Sequence, residues 1–488
     1  MSDLDVKLPV GRMIFGYVII VALLAVVTVA THFVPAGTYA REARIDEETG
    51  TKMEVIVKDS FSFVTQNPQG MADFFISPVK SLYYKGIVGA VIVAFVILIG
   101  GSFTAMRRTG ALDAGIVRFI ERLKGREHLV IPATMIFFSL FGALFGILEE
   151  LVPFIILVVP MAIAMGYDSL VGLMMIFGAC AIGFTAAMTN PFTVLIAQTI
   201  AELPPYSGIV FRFFVWAFMI GIAILYTSWY AKKVKMNPKA SIVSEFDDEQ
   251  RKKIGELGKK HVDFTPAHRR VIWIIGISVI LLFLFIIGGE ILFPKLMGNV
   301  SFPIIILIFI IMGILSGIFG GLGVWGTIKA FGKGIVTFIP AGIFVMIARA
   351  VFVIADEGLI IDTMLFYLSG FVGQFNAVVA SWIMFLVQTA INFFIPSGSA
   401  LAMISMPVMV PLGELVGVTR QVSVLAYQMG DGFSNIFWPT NPMLIIAISL
   451  AGVSWTKWAR FMLPLQLILL LAGFLVLAIA VFIGWGPF

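Results

Sequence analysis

Four ionisable side chains stand inside stretches of this sequence that are otherwise apolar: Glu149, Glu150, Arg349 and Asp431. A charge at the centre of a bilayer costs at least about 2.5–3.5 kcal/mol on insertion scales, so each needs chemistry or a partner to offset it. The adjacent carboxylates Glu149 and Glu150 can bind a cationic substrate group or carry a coupling proton, or they can form an interfacial pair that fixes a loop. Arg349 can take a substrate carboxylate in its two-pronged fork, or it can snorkel or pair with Asp356 or Glu357. Asp431, within Gly430-Asp431-Gly432-Phe433-Ser434-Asn435, can ligate a cation beside flexible backbone, or serve a capped kink between close helices.

The elements around these residues have their own signals. Gly146-Ile147-Leu148-Glu149-Glu150-Leu151-Val152-Pro153 lies halfway along 129–166, and Ile395-Pro396-Ser397-Gly398-Ser399-Ala400 lies halfway along 376–417. Both stretches read as helical hairpins that enter and leave on one side. Irregular backbone at membrane depth must be buried in protein or line a wet cavity, which makes each tip a site candidate. After each hairpin the same tripeptide interrupts an apolar run: Thr189-Asn190-Pro191 within 169–202, and Thr440-Asn441-Pro442 within 419–452. Proline removes a helix hydrogen bond while Thr and Asn can satisfy the freed groups, so both runs read as broken helices. Half-helix N-termini favour anions, and half-helix C-termini offer carbonyls to Na⁺. The expected substrate contacts are therefore Glu149, Glu150, Thr189, Asn190, Pro191, Thr193, Arg349, Ser397, Gly398, Ser399, Thr440 and Asn441. Asn190, Gln198, Asp431, Ser434, Asn435 and Asn441 are the expected ligands of a coupling ion.

Composition places these elements in a bilayer. Of 488 residues 60% are hydrophobic and 12% charged, and mean hydropathy is +1.02, more apolar surface than soluble cores can hide. Stretches of the roughly 20 apolar residues that span a membrane recur at 13–34, 87–106, 208–230, 271–292, 302–322, 334–354 and 459–482. The first is too long for a cleavable signal and reads as a retained helix. The net charge of +5 comes from short basic loops rather than a nucleic-acid surface. Segment 232–270 holds eleven Lys/Arg against six acids and reads as a cytoplasmic linker; 107–128 holds six against three and reads the same way. In 355–375 Asp356, Glu357 and Asp362 face no base, which puts that segment outside. Cys180 is the single cysteine and the four histidines lack ligand spacing, so no structural metal or disulfide is expected.

An internal repeat organises the chain. A shift of 251 residues carries Thr189 onto Thr440, Pro160 onto Pro411 and Gly166 onto Gly417; a shift of 248 carries Lys85-Gly86-Ile87-Val88 onto Lys333-Gly334-Ile335-Val336. The predicted fold is an all-α polytopic membrane protein of two inverted repeats. Its parts are a first helix and external loop (1–86), repeat one (87–231), the linker (232–270), scaffold helices (271–333) and repeat two (334–488). Nine crossings and two hairpins put the N-terminus in the cytoplasm and the C-terminus outside.

The strings Gln66-Asn67-Pro68-Gln69-Gly70, Thr109-Gly110-Ala111-Leu112-Asp113, Lys124-Gly125-Arg126-Glu127, Asn190-Pro191-Phe192-Thr193-Val194 with Ile196-Ala197-Gln198, and Gly430-Asp431-Gly432-Phe433-Ser434-Asn435 are together specific. Across nearly the whole chain they resemble the YfcC family of transporters, relatives of the DcuC-type C4-dicarboxylate carriers. The resemblance implies an ion-transporter-superfamily fold, elevator motion of hairpins and broken helices against a scaffold, and a homodimer. It also implies exchange of basic amino acids of the arginine/ornithine type, or carriage of dicarboxylates and other organic anions. Two strings depart from the family pattern: Leu148 precedes Glu149-Glu150 where the family has glycine, and Asn441-Pro442 follow Thr440 where it has Ser-Gly.

The function expected is secondary transport, by symport or antiport, of a small carboxylate-bearing metabolite across the inner membrane. A basic amino acid comes first and a C4-dicarboxylate second, with Na⁺ or H⁺ as coupling ion and no cofactor; the partners are the bilayer, the solute and a second copy, with no nucleic acid. Walker, His-Glu-x-x-His and Gly-x-Ser-x-Gly patterns are absent, so no enzyme activity is expected. Tyr167-Asp168 and Gly430-Asp431 loosely resemble an aspartyl intramembrane protease pair, but Gln428 stands where that motif needs glycine.

Overall fold

In the computed structural model residues 10–45, 52–57, 60–112, 114–115, 118, 127–148, 151, 154–245, 247–248, 251, 264–292 and 294–486 are described. Helices dominate because lipid cannot satisfy backbone N–H and C=O groups. Among the described residues six helical stretches are long and apolar enough to cross a bilayer. Helices make up nearly all the regular structure among the described residues, in keeping with the all-α expectation, and four short strands complete it. β1 (Gly37–Thr38) pairs antiparallel with β4 (Ser62–Phe63), and β2 (Arg41–Ile45) pairs with β3 (Lys52–Ile56). They occupy the loop after the first helix, outside the apolar spans.

The helices in chain order are α1 (Val10–Phe33), α2 (Met71–Lys80), α3 (Val88–Arg108), α4 (Glu127–Phe145), α5 (Ile155–Ala164), α6 (Ser169–Thr185), α7 (Pro191–Ile200), α8 (Ile209–Met236), α9 (Pro266–Leu292), α10 (Pro294–Gly317), α11 (Gly323–Glu357), α12 (Ile361–Val372), α13 (Ala377–Asn392), α14 (Gly398–Leu415), α15 (Arg420–Phe437), α16 (Pro442–Leu450) and α17 (Trp455–Phe482). One body is built on α3, which α11 and α10 flank, with α1 and α9 outside them. The other holds α4–α7 and α13–α16, braced by α8 and α17. Within it backbones nearly touch. A methyl group added at Gly183 would run into the Ser139 carbonyl on α4, and one at Gly432 would run into Thr185, so α6 meets both α4 and α15 at side-chain-free positions.

Ion pairs collect at one end of this bundle. The acids of 355–375 take their bases from the loop after α1: Asp356 pairs with Lys85 at 2.6 Å, Glu357 with Lys80, and Asp362 with Arg41 at 2.8 Å. These pairs occupy the groups that sequence reading offered to Arg349. α3 runs from this face to the other, about 30 Å at 1.5 Å per residue.

On the far face the segment after α8 folds back over the base of the first hairpin. Asp168 caps α6: its Oδ1 accepts from the Val171 N–H at 2.9 Å, and its Oδ2 accepts from Tyr230 at 2.8 Å and Ser241 at 2.7 Å. Asp247 Oδ2 accepts from the Ser169 N–H at 2.8 Å, and Arg251 donates to the Tyr167 carbonyl at 2.9 Å. Asp168 is therefore a structural cap. Burial pushes the Asp247 carboxyl up to about 7, more than its hydrogen bond to Ser169 pulls it down. Because this folded value lies above the unfolded one, the folded chain binds the extra proton, and the stability linked to it is lost as pH rises from about 4 to about 7. Melting temperature should accordingly fall across that window. Asp247→Asn should flatten this part of the profile; a mutant profile as steep as the wild type would disprove the assignment.

Candidate functional site

Each Thr-Asn-Pro string is built as the start of a helix. Asn190 closes the first break, its Oδ1 accepting from the Phe192 N–H at 2.9 Å, and Pro191 stands at the first helical position, where a missing N–H costs nothing. In the second break Asn441 Oδ1 accepts from the Met443 N–H at 2.9 Å, with Pro442 in the same role. Asn441 Nδ2 also donates to the Asn435 carbonyl at 2.8 Å. Loss of such a cap costs typically about 1 kcal/mol. Asn441→Ala should lower thermal stability by at least that order, since it loses both the cap and the bond to the Asn435 carbonyl, while Asn441→Ser, whose hydroxyl can still accept from the Met443 N–H, should keep part of it; equal stability of the two variants would contradict the capping role.

Against these breaks stand α15 and the second tip. Asp431 lies fully buried on α15, and its Oδ1 accepts from Asn435 Nδ2 at 3.0 Å. Asn392, the last residue of α13, turns its Nδ2 to the Asp431 carbonyl (3.1 Å), Ser434 Oγ (2.7 Å) and Asn435 Oδ1 (3.0 Å). Asp431 Oδ2 faces Gly398: a methyl group added at Gly398 would stand 2.9 Å from this oxygen and would run into Thr193 Cγ2. Tyr427 donates to the Gly398 carbonyl at 2.6 Å and holds the tip in place. The second tip, the first half-helix and α15 thus converge on one point. At the first tip Gly146 has φ +68, which favours glycine, and a methyl group there would run into Asn190 Oδ1. Thr189 ties the first break to that hairpin through its hydroxyl, which donates to the Leu144 carbonyl at 2.9 Å.

Five buried polar atoms along this connected set lack a partner: Asn190 Nδ2, Thr193 Oγ1, Asn392 Oδ1, Asp431 Oδ2 and Thr440 Oγ1. Leaving a buried polar group unpaired costs about 1–3 kcal/mol, so such a concentration marks a place that a polar guest completes. At the tip beside this set Ser397 is exposed and Gly398, Ser399 and Pro191 are half-buried. The side chains offered are one carboxylate, carboxamides and hydroxyls. These suit an ammonium, a guanidinium or Na⁺. The N-termini of α7, α14 and α16 add positive dipole ends suited to a carboxylate.

Not every residue expected at the site reaches it. Glu149 and Glu150 lie outside the described residues. Gln198 sits apart, about 7.5 Å further along the helix axis than Thr193. There its Nε2 donates to the Ser207 carbonyl at 2.8 Å and its Oε1 accepts from the Tyr206 N–H at 2.7 Å, which pins a loop. Arg349 is on α11, its Nε buried without a partner, and among the described residues it bonds none of the cluster. Ser434 turns back to the Gly430 and Asp431 carbonyls and meets the cluster through Asn392. Asn392 and Tyr427 escaped sequence reading. A carboxamide in the apolar run before Ile395-Pro396-Ser397 was the available signal for Asn392.

Comparison with known proteins adds to this geometry. Residues 13–482 match the family described as DcuC, C4-dicarboxylate anaerobic carrier. YfcC of Escherichia coli (strain K12), a "putative basic amino acid antiporter", is 32% identical over 475 residues, 91% of each chain. An uncharacterized protein of Haemophilus influenzae is 27% identical over 432 residues, 88% of this chain and 82% of its own. Among solved structures the YdaH transporter of Alcanivorax borkumensis aligns over 98% of this chain and 100% of its own at 16% identity and a TM-score of 0.41. MtrF of Neisseria gonorrhoeae aligns over 96% and 95% at 17% identity and a TM-score of 0.40.

Proposed function

This chain belongs to the DcuC carrier family, as a multi-pass secondary transporter and not an enzyme, and we propose that its cargo is a basic amino acid of the arginine/ornithine type. The observation that carries the reading is the buried, unpartnered Asp431 Oδ2 between Gly398 and Thr193. In this reading the carboxylate takes the cationic group of the solute or the coupling Na⁺ or H⁺. The N-termini of α7, α14 and α16 receive the solute carboxylate. The description of the Escherichia coli relative points the same way. A C4-dicarboxylate, the cargo in the family's description, is the second reading, and the unpartnered Arg349 Nε favours it.

The mechanism proposed is alternating access by two inverted repeats. Three observations support it. The caps Asn190 and Asn441 stand 251 residues apart, as do the helix caps Asp168 and Thr419. Gly166, at the base of the first hairpin, lies against Lys235, whereas Arg420, at the base of the second, binds Glu202 at 2.7 Å beyond the end of α7. The cleft between the first hairpin and α3, α9 and α10 is lined by apolar side chains, among them Phe103, Met106, Phe154, Ile275, Phe309 and Met312, a surface suited to one body sliding on the other. An elevator stroke, a homodimer and an inner-membrane position with the N-terminus in the cytoplasm complete the proposal. The test is exchange in proteoliposomes preloaded with ornithine. Labelled arginine should enter and labelled succinate should not. Succinate exchange without arginine exchange would replace the amino acid reading with the dicarboxylate one.

A further inference from the structure

Arg212 lies in the first turn of α8 and is 1% exposed. All three of its guanidinium nitrogens are buried without a hydrogen-bond partner. Its Cζ sits 5.5 Å from the centre of the Trp485 ring, which also packs on Phe211 with centroids 4.6 Å apart. Trp485 lies against Gly208 too, since a methyl group there would run into the indole. The guanidinium is therefore held back over the start of its own helix, as helical side chains tilt. α8 begins at Gly208 with no side-chain cap, so its first N–H groups are also without intrahelical partners.

A cation–π contact contributes about 0.5–2 kcal/mol and leaves all the N–H donors of an arginine unsatisfied. Glu202, in the loop that leads into α8, and Glu414 are already engaged, both on Arg420, at 2.7 and 2.6 Å. The neighbouring amides are engaged as well, Gln421 with Ser207 at 2.6 Å and Gln198 with the Ser207 carbonyl. What remains is a buried guanidinium fork and a bare helix N-terminus aimed at one place, and both call for an oxyanion. We propose that the start of α8, with Arg212 as its anchor and Trp485 as its wall, binds an oxyanion, supplied as a lipid headgroup phosphate or as free phosphate. This site is separate from the Asp431 cluster, and its failure or success leaves the transport reading unchanged.

The test uses delipidated full-length protein and thermal unfolding. One arm titrates sodium phosphate at constant ionic strength; the other adds phosphatidylglycerol to phosphatidylcholine nanodiscs. Saturable stabilisation is expected in at least one arm. A response to lipid alone assigns the headgroup, and a response to phosphate as well assigns a free oxyanion. Arg212→Met should lose the response. Arg212→Lys keeps the charge but not the fork, and should bind about tenfold more weakly; it carries the test if the methionine variant does not fold. The absence of any saturable response in the wild type, or an undiminished response in a folded variant, would overturn the proposal.

Discussion

Asp431→Asn should abolish exchange of basic amino acids while leaving the protein as stable as the wild type, or more so. The wild-type carboxylate is fully buried, one oxygen on Asn435 and the other on nothing. Removing a charge from such a place relieves desolvation in the empty protein, and asparagine has nearly the same shape and still accepts from Asn435. With a cationic solute bound, the same substitution deletes one half of a buried charge pair, which costs about 2–5 kcal/mol. At 1.4 kcal/mol per tenfold, affinity should fall by about 30-fold or more. Unchanged affinity in a well-folded Asp431→Asn protein would remove Asp431 from the site. Parallel losses of stability and transport would make it a structural residue.

Gly398→Ala is expected to have the second-largest effect, and its cause is space. Gly398 opens α14 outside the positive-φ region that favours glycine, so the backbone gives no reason for glycine there. The added methyl would run into Thr193 Cγ2 and stand 2.9 Å from Asp431 Oδ2, filling the gap that a guest would use. Overpacking of this kind costs about 1–3 kcal/mol, and transport should drop by about tenfold. Thr193→Ser removes the clashing methyl, so the double variant should recover part of the loss, with a coupling of at least about 0.5 kcal/mol. Strict additivity of the two substitutions would show that the contact does not matter.

Much of this arrangement is legible in local chemistry. Asn-Pro is a helix-start signal, because asparagine caps and proline fits the first helical position, so both interruptions can be read from residues 189–191 and 440–442. The polar tip around Ser397 also stands out within its apolar surroundings. Other features depend on partners that no local pattern carries. Gln198 lies in the same string as Asn190, yet its distance along the helix sends it to the Ser207 loop. Asn392 looks like an isolated polar residue until α13 packs beside α15 and gives it three acceptors. Arg349 looked ready to pair with Asp356 and Glu357, but these are taken by Lys85 and Lys80, which lie about 270 residues earlier in the chain. The short strands of the loop after α1 rest on pairings within a charged segment, where hydrophobic periodicity is weak.

Calorimetric binding of arginine to the purified wild-type protein and to Asp431→Asn tests the central claim most directly. Saturable binding by the wild type that weakens about 30-fold or more in the variant is the expected result. Arginine binding that survives the substitution, or saturable binding of succinate with none of arginine, would contradict it.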